Sequence, residues 1–245
     1  MSRARAVAKS LYLSVPPRWL ALFEYYLRPG LRDIWKGPFN GQHIRQQIFR
    51  DLMRAFDFQA VIETGTFRGS TTEFMASESA KPLFTVESNP LYFHYARLRL
   101  RGHPNVRMSL GDSRTQLAAL ARDPGVPRQN VFFYLDAHWE ADLPLLDEVE
   151  LIFTNWRDPV IMVDDFQVPD DTGYKFDDYG DGKRLCLDYL AKSTAPWTAF
   201  FPSAPASVES GSRRGCVVLT DGATASRLGT ISSLRPYRAE AVTRT

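Results

Sequence analysis

The chain has 245 residues, 44% of them hydrophobic and 24% charged, enough for one large core rather than two. Its 30 basic and 28 acidic side chains leave a formal charge of +2, so no overall field selects nucleic acid or an anionic surface as partner. The two cysteines, Cys186 and Cys216, stand thirty residues apart with no second Cys or His beside either, so neither a zinc site nor a disulfide framework is suggested and a reducing cytoplasm fits best.

Residues 1–57 read as an N-terminal helical cap. The first residues are basic (Arg3, Arg5, Lys9) and then moderately apolar, but Pro16, Pro17, Arg18 and Glu24 interrupt the run well short of a membrane span. Neither a signal peptide nor a transmembrane helix is expected. Leu20, Phe23, Tyr26 and Leu27, then Ile44, Ile48, Leu52 and Phe56, recur at helical spacing on either side of a Gly-Pro-Phe-Asn-Gly turn at 37–41. The first stretch is amphipathic enough to rest on a membrane surface or a partner, but packing on the domain's own core is the expectation.

From residue 58 the pattern changes to short apolar runs, each followed by a helical stretch: Ala60 to Ile62, Leu83 to Val86, Val106 to Leu110, Val131 to Leu135 and Val160 to Val163. Continuous rather than alternating apolar runs indicate parallel strands buried on both faces, hence a doubly wound, Rossmann-like α/β sheet. Two further runs, Thr198 to Phe201 and Cys216 to Thr220, have no helix between them and predict a C-terminal antiparallel hairpin, seven strands in all. The domain is expected over residues 58–222, followed by a polar, loose tail over 223–245.

The most informative segment runs from Val61 to Thr72, where a strand ends in Glu63, turns through Gly65 and Gly69, and enters a helix. Glycines there let backbone turn sharply and approach a small molecule at the sheet edge. Glu87 ends the next strand, where a carboxylate can accept both hydrogen bonds of a ribose diol. Gly111-Asp112-Ser113 ends the third, where a carboxylate can meet an adenine amino group, although Asp112 or Ser113 could equally cap the next helix. The fourth strand ends Leu135-Asp136-Ala-His138-Trp139-Glu140 and the fifth ends Val163-Asp164-Asp165. Parallel strands bring these acids to one edge, where three carboxylates repel one another unless protons or a cation compensate. An oxygen-ligated divalent ion on Asp136, Asp164 and Asp165, Mg²⁺ first, is the economical answer.

Together, Glu63-Thr-Gly65-Thr66-Phe-Arg-Gly69, Glu87, Gly111-Asp112-Ser113 and Asp136-Ala-His138 resemble the class I S-adenosylmethionine-dependent methyltransferases over about residues 58–221. The carboxylate order is similar to that of the macrocin-type, metal-dependent sugar O-methyltransferases and, more distantly, of catechol O-methyltransferases. The resemblance implies that the turn around Glu63, Gly65, Thr66 and Gly69 holds the methionine end of the cofactor, Glu87 its ribose, and Asp112 its adenine. It also implies that a metal holds neighbouring oxygens of a small hydroxylated acceptor, such as a sugar or natural product. His138 is then the general base and Asp136 its rival. Phe67 stands where the commonest motif has another glycine. Five parallel strands closed by a hairpin is the methyltransferase layout and differs from that of nicotinamide dehydrogenases.

Three other readings compete: a methyltransferase without metal acting on another acceptor atom, a nicotinamide-dependent oxidoreductase, and a non-catalytic binding module. Nucleic acid is not an expected partner, and a homo-oligomer is compatible with the sequence. The stretch Asp170 to Gly182, polar and carrying Tyr174 and Tyr179, reads either as a loop that closes over substrate or as a solvated connection. Asn40 and Gln42 are weaker candidates for the same cleft. His43, His94 and His103 lack clustered carboxylates and read as surface or packing residues.

Overall fold

The computed structural model describes residues 15–138 and 142–238. The basic first residues of the expected cap, Trp139 and Glu140 of the fourth-strand motif, and the end of the expected tail lie outside the described residues.

Helix α1 (Pro17–Leu27) and helix α2 (His43–Ala55) precede β1 (Ala60–Thr64), α3 (Ser70–Ser79), β2 (Leu83–Glu87), α4 (Pro90–Arg99), β3 (Val106–Leu110) and α5 (Ser113–Leu120). Next come β4 (Val131–Leu135), α6 (Leu145–Asn155), β5 (Val160–Val163), a single turn α7 (Leu187–Leu190), β6 (Thr198–Pro202), β7 (Val217–Thr220), α8 (Gly222–Leu228) and β8 (Leu234–Pro236). One sheet runs in the order β3-β2-β1-β4-β5-β7-β6-β8. The first five strands are parallel, and β7, β6 and β8 join antiparallel.

Alternate strand residues split the core into two layers, as the two-residue period of a strand requires. Ile62, Phe133, Leu135, Ile161 and Val163 meet α5 and α6 on one face, while Val61, Phe132, Tyr134, Val160 and Met162 meet α2 and α3 on the other. Both faces are thus covered, which accounts for the uninterrupted apolar runs of β1, β4 and β5. Helix α2 lacks a capping side chain of its own. Glu209, remote in sequence and buried, accepts from the Ile44 and Arg45 N–H groups instead (3.0 and 3.3 Å).

Two expectations need correction. Residues 223–236 are not a loose tail: α8 and β8 close the sheet, with Leu228, Ile231 and Leu234 buried and β8 covering the free edge of β6. The sheet therefore has eight strands rather than seven, and its last edge is short and ends in Pro236, which resists further strand pairing. The first cap helix also packs less completely than its periodicity suggests. Leu20, Ala21 and Glu24 are buried, against α4, while Phe23, Tyr26 and Leu27 remain exposed. No helix of the described residues is long and apolar enough to cross a membrane.

Candidate active site

All five parallel strands deliver their C-terminal residues to one edge, and the loop after β1 turns there at Gly65 in a left-handed conformation (φ 88°). A Cβ on Gly65 would lie 2.2 Å from the Asp136 carbonyl oxygen, so only glycine lets the β1 and β4 loops pass side by side. Gly69, also left-handed, opens α3, and Thr66 Oγ1 lies 2.5 Å from Thr85 Oγ1. Phe67 adopts φ 49° and sends its ring outward against Tyr92 of α4, ring centres 4.5 Å apart.

The carboxylates of β1 and β2 meet neutral donors. Glu63 accepts from Thr72 Oγ1 and Thr85 Oγ1, both at 2.6 Å, and its burial pushes the carboxyl pKa up to about 8. Glu87 accepts from the Phe67 N–H (2.7 Å) and the Asn89 N–H (2.8 Å), one on each oxygen, and burial raises its pKa too. Asp112 takes its alternative role as the N-cap of α5, accepting from Thr115 N–H at 3.1 Å. It also pairs with Arg114 at 2.6 Å, which holds its pKa down. Gly111 precedes it with open space where a side chain would project, and Ser113 is buried at the start of the helix.

At the ends of β4 and β5 the carboxylates meet cations. Asp136, His138 and Asp165 offer ligand atoms all within 4.8 Å of one another. His138 Nε2 is 3.6 Å from Asp136, 3.9 Å from Asp165 and 3.9 Å from Asp177. These distances exceed a hydrogen bond, and the buried nitrogen has no hydrogen-bond partner among the described residues. The Arg214 guanidinium, just ahead of β7, binds both Asp165 and Asp177. Tyr179 donates to Asp177 (2.7 Å) and reaches the His138 carbonyl (3.4 Å), so the 170–182 stretch folds back over the cluster. Desolvation raises the Asp136 pKa, with the Asp165 charge adding to it. Against the opposing effect of burial, His138 and Arg214 lower that of Asp165, and the surrounding aspartates raise that of His138.

Asp164 does not join this group. The alternation of β5 points it with Met162 toward α2, and the left-handed turn at Asp165 (φ 52°) separates the two neighbours. Asp164 is fully buried, ion-paired with the equally buried Arg45 of α2, and accepts from Tyr134 Oη and from the Asp165 N–H (2.6 Å). Asp164 is thus turned away and committed to Arg45, so of the expected trio only Asp136 and Asp165 come together, with His138 between them and Asp177 alongside.

The architecture matches solved structures. The chain aligns with a candidate caffeoyl-CoA O-methyltransferase of Staphylococcus aureus (TM-score 0.54, 16% identity, 89% of this chain and 98% of that one). It aligns comparably with a candidate O-methyltransferase of Klebsiella pneumoniae (0.53, 18%, 89% and 94%). A third match is the O-methyltransferase TomG of Streptomyces achromogenes, solved with S-adenosylmethionine (0.51, 18%, 73% and 80%). The chain has the fold of the class I methyltransferases. No protein-family model matches the sequence, and no curated protein matches it.

Within the methyltransferase fold, the donors fit both groups that the resemblance implies. A buried carboxylate at the end of β2 beside a glycine turn suits a ribose diol, and each Glu87 oxygen keeps a second lone pair beyond the N–H it now accepts. Two carboxylates, Asp136 and Asp165, beside an unpartnered imidazole nitrogen suit a divalent cation, with Asp177 3.9 Å from that nitrogen. Sequence reasoning missed Arg45, Asp177 and Arg214. Arg214 had a legible signal: in an antiparallel β5–β7 pair, Val163 faces Val217, so the residues just before β7 must lie beside Asp164 and Asp165. Gln42 does face this region, exchanging hydrogen bonds with the Arg214 backbone (2.7 and 2.8 Å), whereas Asn40 contributes its carbonyl to Ser212 (3.1 Å).

Proposed function

We propose that the chain is an S-adenosylmethionine-dependent O-methyltransferase acting on a hydroxyl of a small molecule, with a divalent ion, Mg²⁺ first, at the acid cluster. The observation that carries this reading is the convergence, on one sheet edge, of the Gly65 turn and Glu87 with Asp136, His138, Asp165 and Asp177. Bound there, the cofactor would supply a sulfonium methyl and the ion would lower the pKa of the acceptor hydroxyl. The protein's own part is positioning and proton transfer. Glu87 would accept from the ribose hydroxyls, and the Gly65–Gly69 backbone would close on the methionine end. Asp136, Asp165 and Asp177 would hold the ion, and His138 Nε2 would take the hydroxyl proton. Tyr179, over His138, would keep water from the site.

A metal-free methyltransferase has one observation in its favour: Arg214 already ion-pairs with both Asp165 and Asp177, so the cluster has a resident cation. Chelation separates the two. Under the metal reading, EDTA abolishes turnover of a hydroxyl acceptor and leaves cofactor binding intact. Asp165→Asn then loses rate and is partly rescued by excess Mg²⁺. Full turnover in excess EDTA would instead establish His138 acting without metal.

A further inference from the structure

The charge of this chain is small in total and uneven in place. Residues 1–36 hold seven Lys or Arg against two Asp or Glu, a local +5 in a chain whose sum is +2. The apolar surface is uneven in the same way. Of ten large hydrophobic side chains exposed among the described residues, seven lie between Val15 and Trp35. Trp19, Phe23, Tyr26 and Leu27 stand at i, i+4, i+7 and i+8, one face of α1, and the following turn adds Ile34 and Trp35. All six are between 45% and 68% exposed. Opposite them, Leu20, Ala21 and Glu24 hold the helix to the domain, Glu24 through a buried ion pair with Arg68 of the Gly65–Gly69 turn (2.8 Å). The exposed face is therefore rigidly presented and attached to the rim of the candidate active site.

Cations edge this face. Arg18 lies over the Trp19 ring (5.1 Å), Arg28 over Phe23 (5.3 Å) and Arg32 over Tyr25 (4.7 Å), while Arg101 donates to Tyr26 Oη (2.8 Å). Of the two acids in the segment, Glu24 is buried and only Asp33 is exposed. Charge decides among the possible occupants. Residues 1–14 carry Arg3, Arg5 and Lys9 and no acid, so folding back would place like charge on like charge, and a second copy would oppose two cationic faces. What complements tryptophan, tyrosine and leucine ringed by arginine is an apolar medium with an anionic boundary.

We propose that the α1 face and the turn at 32–36 form a peripheral membrane-docking surface for a bilayer rich in anionic headgroups. The apolar residues enter the headgroup boundary while Arg18, Arg28 and Arg32 meet the lipid phosphates. Residues 1–14, which precede α1 in sequence, carry three further positive charges. Binding then needs both the buried apolar area and the charge, because neither alone anchors a protein firmly. This inference stands apart from the methyl-transfer reading, since it uses none of the residues assigned to cofactor, metal or base.

The test is co-sedimentation of the full chain with vesicles of phosphatidylcholine alone and of phosphatidylcholine mixed with phosphatidylglycerol. Binding should be confined to the anionic vesicles, fall with salt, and be accompanied by a blue shift of tryptophan emission. Phe23→Ser with Leu27→Ser should abolish it, and each of Arg18→Gln and Arg28→Gln should lower the partition coefficient about fivefold. These side chains are exposed, so unchanged thermal melting shows that the variants are folded. Absent binding, equal binding to neutral vesicles, or binding that survives the serine substitutions would overturn the proposal. A vesicle-independent dimer lost in the same variant would also overturn it, and would assign the face to a second copy.

Discussion

The two halves of the sheet edge solve the same electrostatic problem in opposite ways. Around β1 and β2 the buried carboxylates are met by neutral donors: Glu63 by two threonine hydroxyls, Glu87 by two backbone N–H groups. Around β4, β5 and β7 they are met by guanidinium groups: Asp164 by Arg45, Asp165 and Asp177 by Arg214. Where only neutral donors meet a buried carboxylate, their hydrogen bonds lower its pKa less than burial raises it, and it retains lone pairs for hydroxyl ligands, as a cofactor pocket needs. Beside Arg214, Asp165 has a lowered pKa and is suited to exchanging that cation for another. The contrast teaches that acid residues at neighbouring strand ends need not form one site.

The largest effect should come from breaking the charged half at its most buried pair. Arg45→Met leaves Asp164 without its counter-ion inside the protein and should cost about 3–5 kcal/mol in denaturant unfolding. Asp164→Asn in that background should recover part of the loss, because it removes the stranded charge. If Arg45→Met is nearly neutral, the pair is not the anchor described. A smaller effect sharpens the view of Arg214 as an exchangeable cation. Arg214→Gln should tighten Mn²⁺ binding, read by electron paramagnetic resonance, on the order of tenfold. A unit charge about 4 Å away is worth a few kcal/mol at intermediate dielectric before screening. Weaker Mn²⁺ binding would show that Arg214 supports the metal site instead of competing for it.

The smallest effect tests the neutral half through pH. Glu63 titrates at about 8 when folded against a reference of 4.5, so between those values the folded state binds more protons than the unfolded one. Its contribution is therefore complete below about 4.5 and is lost as pH rises toward about 8. Glu63→Gln cannot ionise, so its stability should decline less across that window, with the difference from wild type levelling off above about 8. Parallel stability profiles would mean that Glu63 is already ionised in the folded protein.

The sequence was most legible where burial is two-sided. Apolar runs located β1, β2, β4 and β5, while β3, Val-Arg-Met-Ser-Leu at the sheet edge, alternates and is only partly buried; the interval between residues 201 and 216, without an α-helix, located the hairpin. Strand β8 was not legible, because Leu-Arg-Pro carries one apolar core residue and no period. On the site, Gly65 and Glu87 were legible as positions because each directly ends or follows an apolar run, although their partners, Asp136 and Phe67, come from neighbouring loops. Asp164 was misread because its partner, Arg45, comes from a helix far away in sequence, although alternation along β5 already put it on the α2 face. Arg214 and Asp177 joined the cluster only through loop pairing, with Asp177 N–H bound to the Asp165 carbonyl (2.9 Å) and Gly215 N–H to that of Lys175 (2.7 Å).

The central claim is that the neutral half binds S-adenosylmethionine independently of the charged half. Calorimetric titration in EDTA, on wild type and Glu87→Ala, tests it most directly. The account predicts that wild type binds S-adenosylmethionine without metal and gives no heat with NAD, and that Glu87→Ala weakens binding by ~1.5–3 kcal/mol. No binding of S-adenosylmethionine by wild type, or an affinity unchanged in Glu87→Ala, would contradict it.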